Sequence, residues 1–98
     1  MLDLSGTDAN GDYEISDYEA KKSAIAYSSQ RAIRYYGTFS SATMQIGFRG
    51  RDGQGHFDPV EYNADGSQIV VVGRTGRVMV RVANATSSTV LYIDELFI

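Results

Sequence analysis

Between Ala42 and Phe48 every second side chain is apolar: Ala42, Met44, Ile46 and Phe48 alternate with Thr43, Gln45 and Gly47. A repeat of two residues is the spacing of a strand with one face in a core and the other turned outward. The same rhythm recurs along the chain. Arg31 to Phe39 sets Ile33, Tyr35, Gly37 and Phe39 against Ala32, Arg34, Tyr36 and Thr38, and Arg77 to Ala83 places Val78, Val80 and Val82 on one face. Ile69-Val70-Val71-Val72 is a continuous β-branched run, expected to be buried on both sides. Thr89 to Ile98 closes the chain as a last strand.

Turn chemistry separates these runs. Ser40-Ser41, Gly50 with Asp52-Gly53 and Gly55, Asn63-Ala64-Asp65-Gly66, Gly73-Arg74-Thr75-Gly76 and Asn84 to Ser88 each interrupt the alternation. Phe57 to Tyr62 reads as a strand broken by Pro59, which donates no ladder hydrogen bond and marks an edge or bulge. Tyr13 to Ser16 reads as a short first strand. Asp17 to Ser29 supports either a helix or a strand, with a strand around Ser23–Tyr27 preferred. Short strands with turns about every ten residues define an all-β, antiparallel β-sandwich of seven to eight strands, with a jelly roll among the possible strand orders. Residues 1–12 are small, polar and turn-forming after Leu4, and are expected as a flexible N-terminal arm to a sandwich domain spanning 13–98.

With 98 residues the chain makes one domain, burying roughly 60–65% of its unfolded surface. It has no cysteine, so neither disulfides nor thiolate metal sites contribute. No apolar run has the length of a membrane span, and Met1-Leu2-Asp3-Leu4 lacks the basic, apolar plan of a signal peptide, so no membrane association is expected. Net charge is −3, unevenly spread. Residues 1–20 hold six acids (Asp3, Asp8, Asp12, Glu14, Asp17, Glu19) and no base, while the remainder carries all nine Lys and Arg against six acids. This asymmetry suits docking of one subunit's acidic end on another's basic face, with a solvated terminus as the alternative. The acidic balance argues against a nucleic-acid footprint.

Asp8-Ala9-Asn10-Gly11-Asp12-Tyr13-Glu14-Ile15-Ser16-Asp17-Tyr18-Glu19 resembles the calcium loop of EF-hand and dockerin domains. Asp8, Asn10 and Asp12 match its positions one, three and five, Ile15 the apolar position eight, and Glu19 the bidentate position twelve. Tyr13 stands where the loop needs Gly for its sharp turn, and only seven residues precede it. Ca²⁺ is therefore the one cofactor the sequence raises, with Asp8, Asn10, Asp12 and Glu19 as ligands. His56 is the only histidine, set in a Gly-rich turn with no nucleophile in its motif. Asp94-Glu95 reads as a solvated strand end, and the glycines at 50, 53 and 55 serve turns, since no Lys-Ser/Thr follows them. No catalytic residues are assigned, and the chain is not expected to be an enzyme.

Residues 37–93 resemble a small β-sandwich found in virion proteins of tailed bacteriophages: head decoration (cement) proteins, head fibres and tail adaptors. The pieces are Gly37-Thr38-Phe39, Ala42-Thr43, Asp52-Gly53, Phe57, Arg77-Val78-Met79-Val80-Arg81-Val82, Ala83-Asn84-Ala85-Thr86 and Ser88-Thr89-Val90, with Leu2-Asp3-Leu4-Ser5 similar to the start of such chains. Gln54-Gly55-His56 is inserted after the hairpin, and the tryptophan frequent on the next strand is missing, which leaves decoration and adaptor types open. The resemblance implies a non-enzymatic capsid decoration subunit, made in the host cytoplasm and located in the virion. Its partners would be copies of itself, commonly as a trimer, and a major capsid or other virion protein. Contact residues expected on this reading are Leu2, Leu4, Tyr35, Tyr36, Tyr62, Arg74, Arg77 and Tyr92, the tyrosines being amphipathic rings of the type enriched at interfaces. A carbohydrate-binding sandwich using Tyr rings as a platform and a small calcium-binding module are the alternatives.

Overall fold

The computed structural model describes residues 2–15, 30–71 and 77–96. Among these residues there are eight strands: β1 Leu2–Ser5, β2 Gly11–Glu14, β3 Gln30–Thr38, β4 Thr43–Arg49, β5 Gly55–Phe57, β6 Gly66–Val71, β7 Val78–Ala83 and β8 Val90–Leu96. They form two four-stranded antiparallel sheets, in the orders β1-β8-β3-β6 (sheet I) and β2-β7-β4-β5 (sheet II). First pairs with last, second with seventh, third with sixth and fourth with fifth. A long hairpin rolled up in this way is a jelly roll, two Greek keys sharing one core.

Side-chain alternation decides what each sheet buries. From sheet I, Leu4, Ile33, Tyr35, Leu91 and Ile93 turn inward; from sheet II, Met44, Ile46, Val78, Val80 and Val82 meet them. The expected faces of β3 and β7 are those observed, and that of β4 holds from Ala42 to Ile46; Phe48, expected inward with them, is 47% exposed at the strand end, where its ring stacks on His56. Every link but β4–β5 joins strands of different sheets. Three of these corners are tied together by polar groups. The Gly6 N–H donates to Thr89 O at 2.8 Å, Thr89 Oγ1 donates to Phe39 O at 2.9 Å, and Ser40 Oγ lies 2.9 Å from Thr86 Oγ1. These bonds hold Ser40 and Ser41 at positive φ (48° and 76°), a conformation that short polar side chains tolerate when the surroundings fix it.

Three expectations need correction. The 1–12 segment is no free arm: β1 pairs with β8 from Leu2↔Ile93 to Ser5↔Val90, a 3-10 turn at Thr7–Ala9 follows, and β2 joins the other sheet. Leu4, Ala9 and Ile15 reach the core, which a polar tail would not do. Phe57–Tyr62 is not one strand, because β5 ends at Phe57 and Tyr62 returns as a single bridge to Met44. Pro59 stands in the gap, unable to donate to a ladder. The β-branched run is not buried on both sides: β6 lies at the end of sheet I with Ile69 63% exposed. Val72 and the strand expected around 23–27 lie outside the described residues.

Candidate functional site

The outer faces of the two sheets are built differently. On sheet II, β2 sends Asp12 and Glu14 outward, opposite Arg81 and Met79 of β7. Asp12 takes a bidentate pair from Arg81, 2.8 Å from Nε and 3.0 Å from Nη2. Glu14 accepts from Arg49 Nε at 2.9 Å and from Arg77 Nη1 at 3.1 Å. The Arg81 guanidinium also lies 4.3 Å from the Phe57 ring centroid, within cation–π range. The Arg81 hydrogen bond holds the Asp12 carboxyl below its ordinary range. Partial burial pushes Glu14 upward, but the hydrogen bonds from Arg49 and Arg77 outweigh it and leave that carboxyl lowered too. This face answers its own charges.

On sheet I the outward row runs across β8 and β3: Val90 opposite Thr38, Tyr92 opposite Tyr36, Asp94 opposite Arg34. The Tyr36 and Tyr92 rings stack at 5.3 Å and 29°, half-buried, with the Arg34 guanidinium 5.8 Å from the Tyr36 centroid. Val90 and Ile69 are exposed on the same side of the sheet. Where β3 meets β6, Arg34, Tyr36, Asp65 and Ser67 line an open depression of about 430 Å³. Asp65 Oδ1 accepts the Gly37 N–H there at 3.0 Å. This face is apolar and aromatic at its centre, with few bonds of its own.

The expected contact residues divide accordingly. Tyr36 and Tyr92 sit together on the outer face of sheet I. Leu4 and Tyr35 turn into the core, at 9% and 2% exposure, because strand alternation sends them opposite to Asp3 and Tyr36. Leu2 and Tyr62 are partly buried against that core, the Tyr62 ring 5.3 Å from Tyr35. Arg77 is on sheet II, bonded to Glu14, and Arg74 lies outside the described residues.

The placed part of the calcium-loop motif has other work. Asn10 braces a corner, its Oδ1 accepting the Ala85 N–H at 2.8 Å and its Nδ2 donating to Thr7 O at 3.1 Å. Asp12 is committed to Arg81, and Asp8 is exposed. Gly11–Glu14 is extended, and a strand that alternates faces does not wrap its oxygens round one cation. Glu19 lies outside the described residues. Among the described residues no three His, Asp or Glu side chains are grouped to hold a metal.

His56 is paired with Asp52, Nε2 to Oδ2 at 3.1 Å, and its ring stacks on Phe48 at 5.4 Å. Asp52 also accepts the Gln54 N–H, and that bond, followed by the His56 contact, lowers its pKa. The group therefore closes the β4–β5 turn. Asp94 and Glu95 face opposite sides of β8, Asp94 outward and Glu95 into the interior at 3% exposure, so they form no carboxylate pair.

The sequence reading missed the Asp12–Arg81 and Glu14–Arg49–Arg77 ion pairs, which join residues up to 69 positions apart. A signal was present: Asp12 and Glu14 alternate with Tyr13 and Ile15 at strand spacing. Compared with protein-family models, curated proteins and solved structures, the chain finds no match.

Proposed function

We propose that this chain is a non-enzymatic structural subunit of a bacteriophage virion, a capsid decoration protein that binds copies of itself, as a trimer, and a virion surface. One observation carries the reading: the outer face of sheet I sets exposed Val90 and Ile69 around the half-buried Tyr36–Tyr92 stack, while the carboxylates of sheet II are bonded to its own arginines. Aromatic centres with a polar rim are what protein interfaces bury. The architecture is compatible, since jelly rolls recur in capsid and lectin domains, though that is an analogy of fold rather than of site. The resembling pieces form the strand ends and corners: Gly37-Thr38-Phe39 leaves β3, Ala42-Thr43 enters β4, and Ala83-Asn84-Ala85-Thr86 leaves β7.

A sugar platform draws on the same rings. Against it, Tyr36 already has Tyr92 and the Arg34 guanidinium on it, which leaves little free ring face for stacking.

Light scattering on the full chain tests the reading, with Tyr36→Ser/Tyr92→Ser as the comparison. Wild type is expected at trimer mass or a multiple of it, and the double variant is expected to lose the trimer with unchanged circular dichroism. A wild-type monomer at every concentration would overturn self-assembly. Imaging of phage particles carrying a labelled copy is expected to place label at regular positions on the head. Heads without label would remove the virion reading, and glycan-array binding that the double variant loses would replace it with the sugar one.

A further inference from the structure

Among the described residues each sheet ends in two edge strands, and three of these four are protected. β1 has four residues and carries Asp3; β2 has four and carries Asp12 and Glu14; β5 has three and runs into Asp58-Pro59. Shortness, charge and proline are the usual devices against unwanted strand pairing. β6 has none of them. Gly66-Ser67-Gln68-Ile69-Val70-Val71 is the longest edge among the described residues, without charge or proline, and Ile69 is 63% exposed on it.

The ladder shows which backbone groups of β6 point to the open side. Thr89 O accepts the Gly6 N–H, so odd-numbered residues at the start of β8 turn toward β1 and even-numbered ones toward β3. On β3 the Gly37 N–H turns the other way, to Asp65 on the β6 side. Tyr35 and Ile33 therefore bond Gly66 and Gln68, their register partners. By alternation Ser67, Ile69 and Val71 direct N–H and C=O away from the sheet.

We infer that β6 is a self-pairing edge: two copies join β6 to β6 antiparallel about a two-fold axis at Ile69, extending sheet I into one eight-stranded sheet. A two-fold contact sets each residue against its mirror position, so it admits a neutral strand and rejects a charged one. Centred on Ile69, the pairing places Ile69 opposite the partner's Ile69 and Ser67 opposite the partner's Val71. The open-side backbone groups then close on each other, and the two Ile69 side chains meet on the outer face, continuous with the surface bearing Tyr36 and Tyr92. The occupant is a second copy because β6 itself supplies the complementary strand. The inference shares with the proposed function only that the partner is this chain; a trimer uses a different, head-to-tail contact, and β6 pairing would link such trimers.

The chain contains no cysteine, so single-cysteine variants report the register directly. Hydrogen-bonded antiparallel partners lie about 5.5 Å apart at Cα, a separation a disulfide spans. Full-length Ile69→Cys under mild oxidation is expected to run mainly as a covalent dimer on a non-reducing gel. Ser67→Cys, which the register separates from its own copy by roughly four residues or ~13 Å, is expected to remain monomeric on that gel. An Ile69→Cys chain that does not cross-link, or a Ser67→Cys chain that cross-links equally well, overturns the inference. Absent cross-links in a chain that still reaches trimer mass would refute β6 pairing and leave the functional reading standing. Cross-linked dimers of a chain that neither trimerises nor labels heads would do the reverse.

Discussion

Sheet II and sheet I share one core yet treat their outer surfaces in opposite ways. On sheet II, Arg49, Arg77 and Arg81 are bonded to Asp12 and Glu14, Arg81 lies over the Phe57 ring, and the exposed Phe48 at the end of β4 stacks on His56. Its edges, β2 and β5, are short and guarded. On sheet I, Val90 and the neutral β6 edge with Ile69 are exposed beside the half-buried Tyr36–Tyr92 stack. An isolated domain gains nothing from exposed Val90 and Ile69 and an unprotected strand on the same sheet. On the proposed reading, sheet II faces solvent and sheet I faces partners.

The strongest way to break this comparison is to remove residues 1–12, which supply the β1 edge of sheet I and half of the β2 edge of sheet II. Loss of Leu4 alone is worth about 2–5 kcal/mol, a large share of the ~5–15 kcal/mol that holds a domain together. The truncated chain is expected to melt at least about 10 °C lower in circular dichroism, or not to fold at all. A sandwich of unchanged stability would restore the segment to the status of a loose arm.

A smaller effect sharpens the claim that sheet II is self-satisfied. Glu14 and Asp12 have folded pKa values below their ordinary 4.5 and 3.8. Their contribution is complete above those ordinary values and is lost as pH falls through the lowered ones, on the acid side of about pH 4.5. Glu14→Gln is expected to cost at most about 1 kcal/mol near neutrality, since these pairs are half in solvent, and to flatten the acid limb of a pH–melting curve. An unchanged acid limb would mean the pairs hold nothing in place.

Much of the fold was legible from residue spacing. Val78, Val80 and Val82 announce β7, and Met44 with Ile46 announces β4, because long half-buried strands carry the alternation over enough residues to be read. β1 was not legible as a strand, and β2 only in part through the strand expected at Tyr13 to Ser16, since four residues give too few alternations and their acids suggest a solvated tail. Their place depends on arginines far along the chain. Ile69–Val72 misled for another reason: apolar content predicts burial only when a neighbouring strand exists on each side, and neighbours are a property of topology. The Tyr36–Tyr92 pairing likewise arises from β3 meeting β8, while their interface candidacy came from residue type alone. Leu4 and Tyr35, picked on that same ground, went to the core because alternation fixed their side.

Amide hydrogen exchange followed against protein concentration tests the contrast between the sheets most directly. The amides of Ser67, Ile69 and Val71 should exchange fast in dilute solution and become protected as concentration rises, while those of Gly11–Glu14 keep one rate throughout. Rates at β6 that ignore concentration, or protection gathering on β2 instead, would contradict the assignment of sheet I to self-recognition.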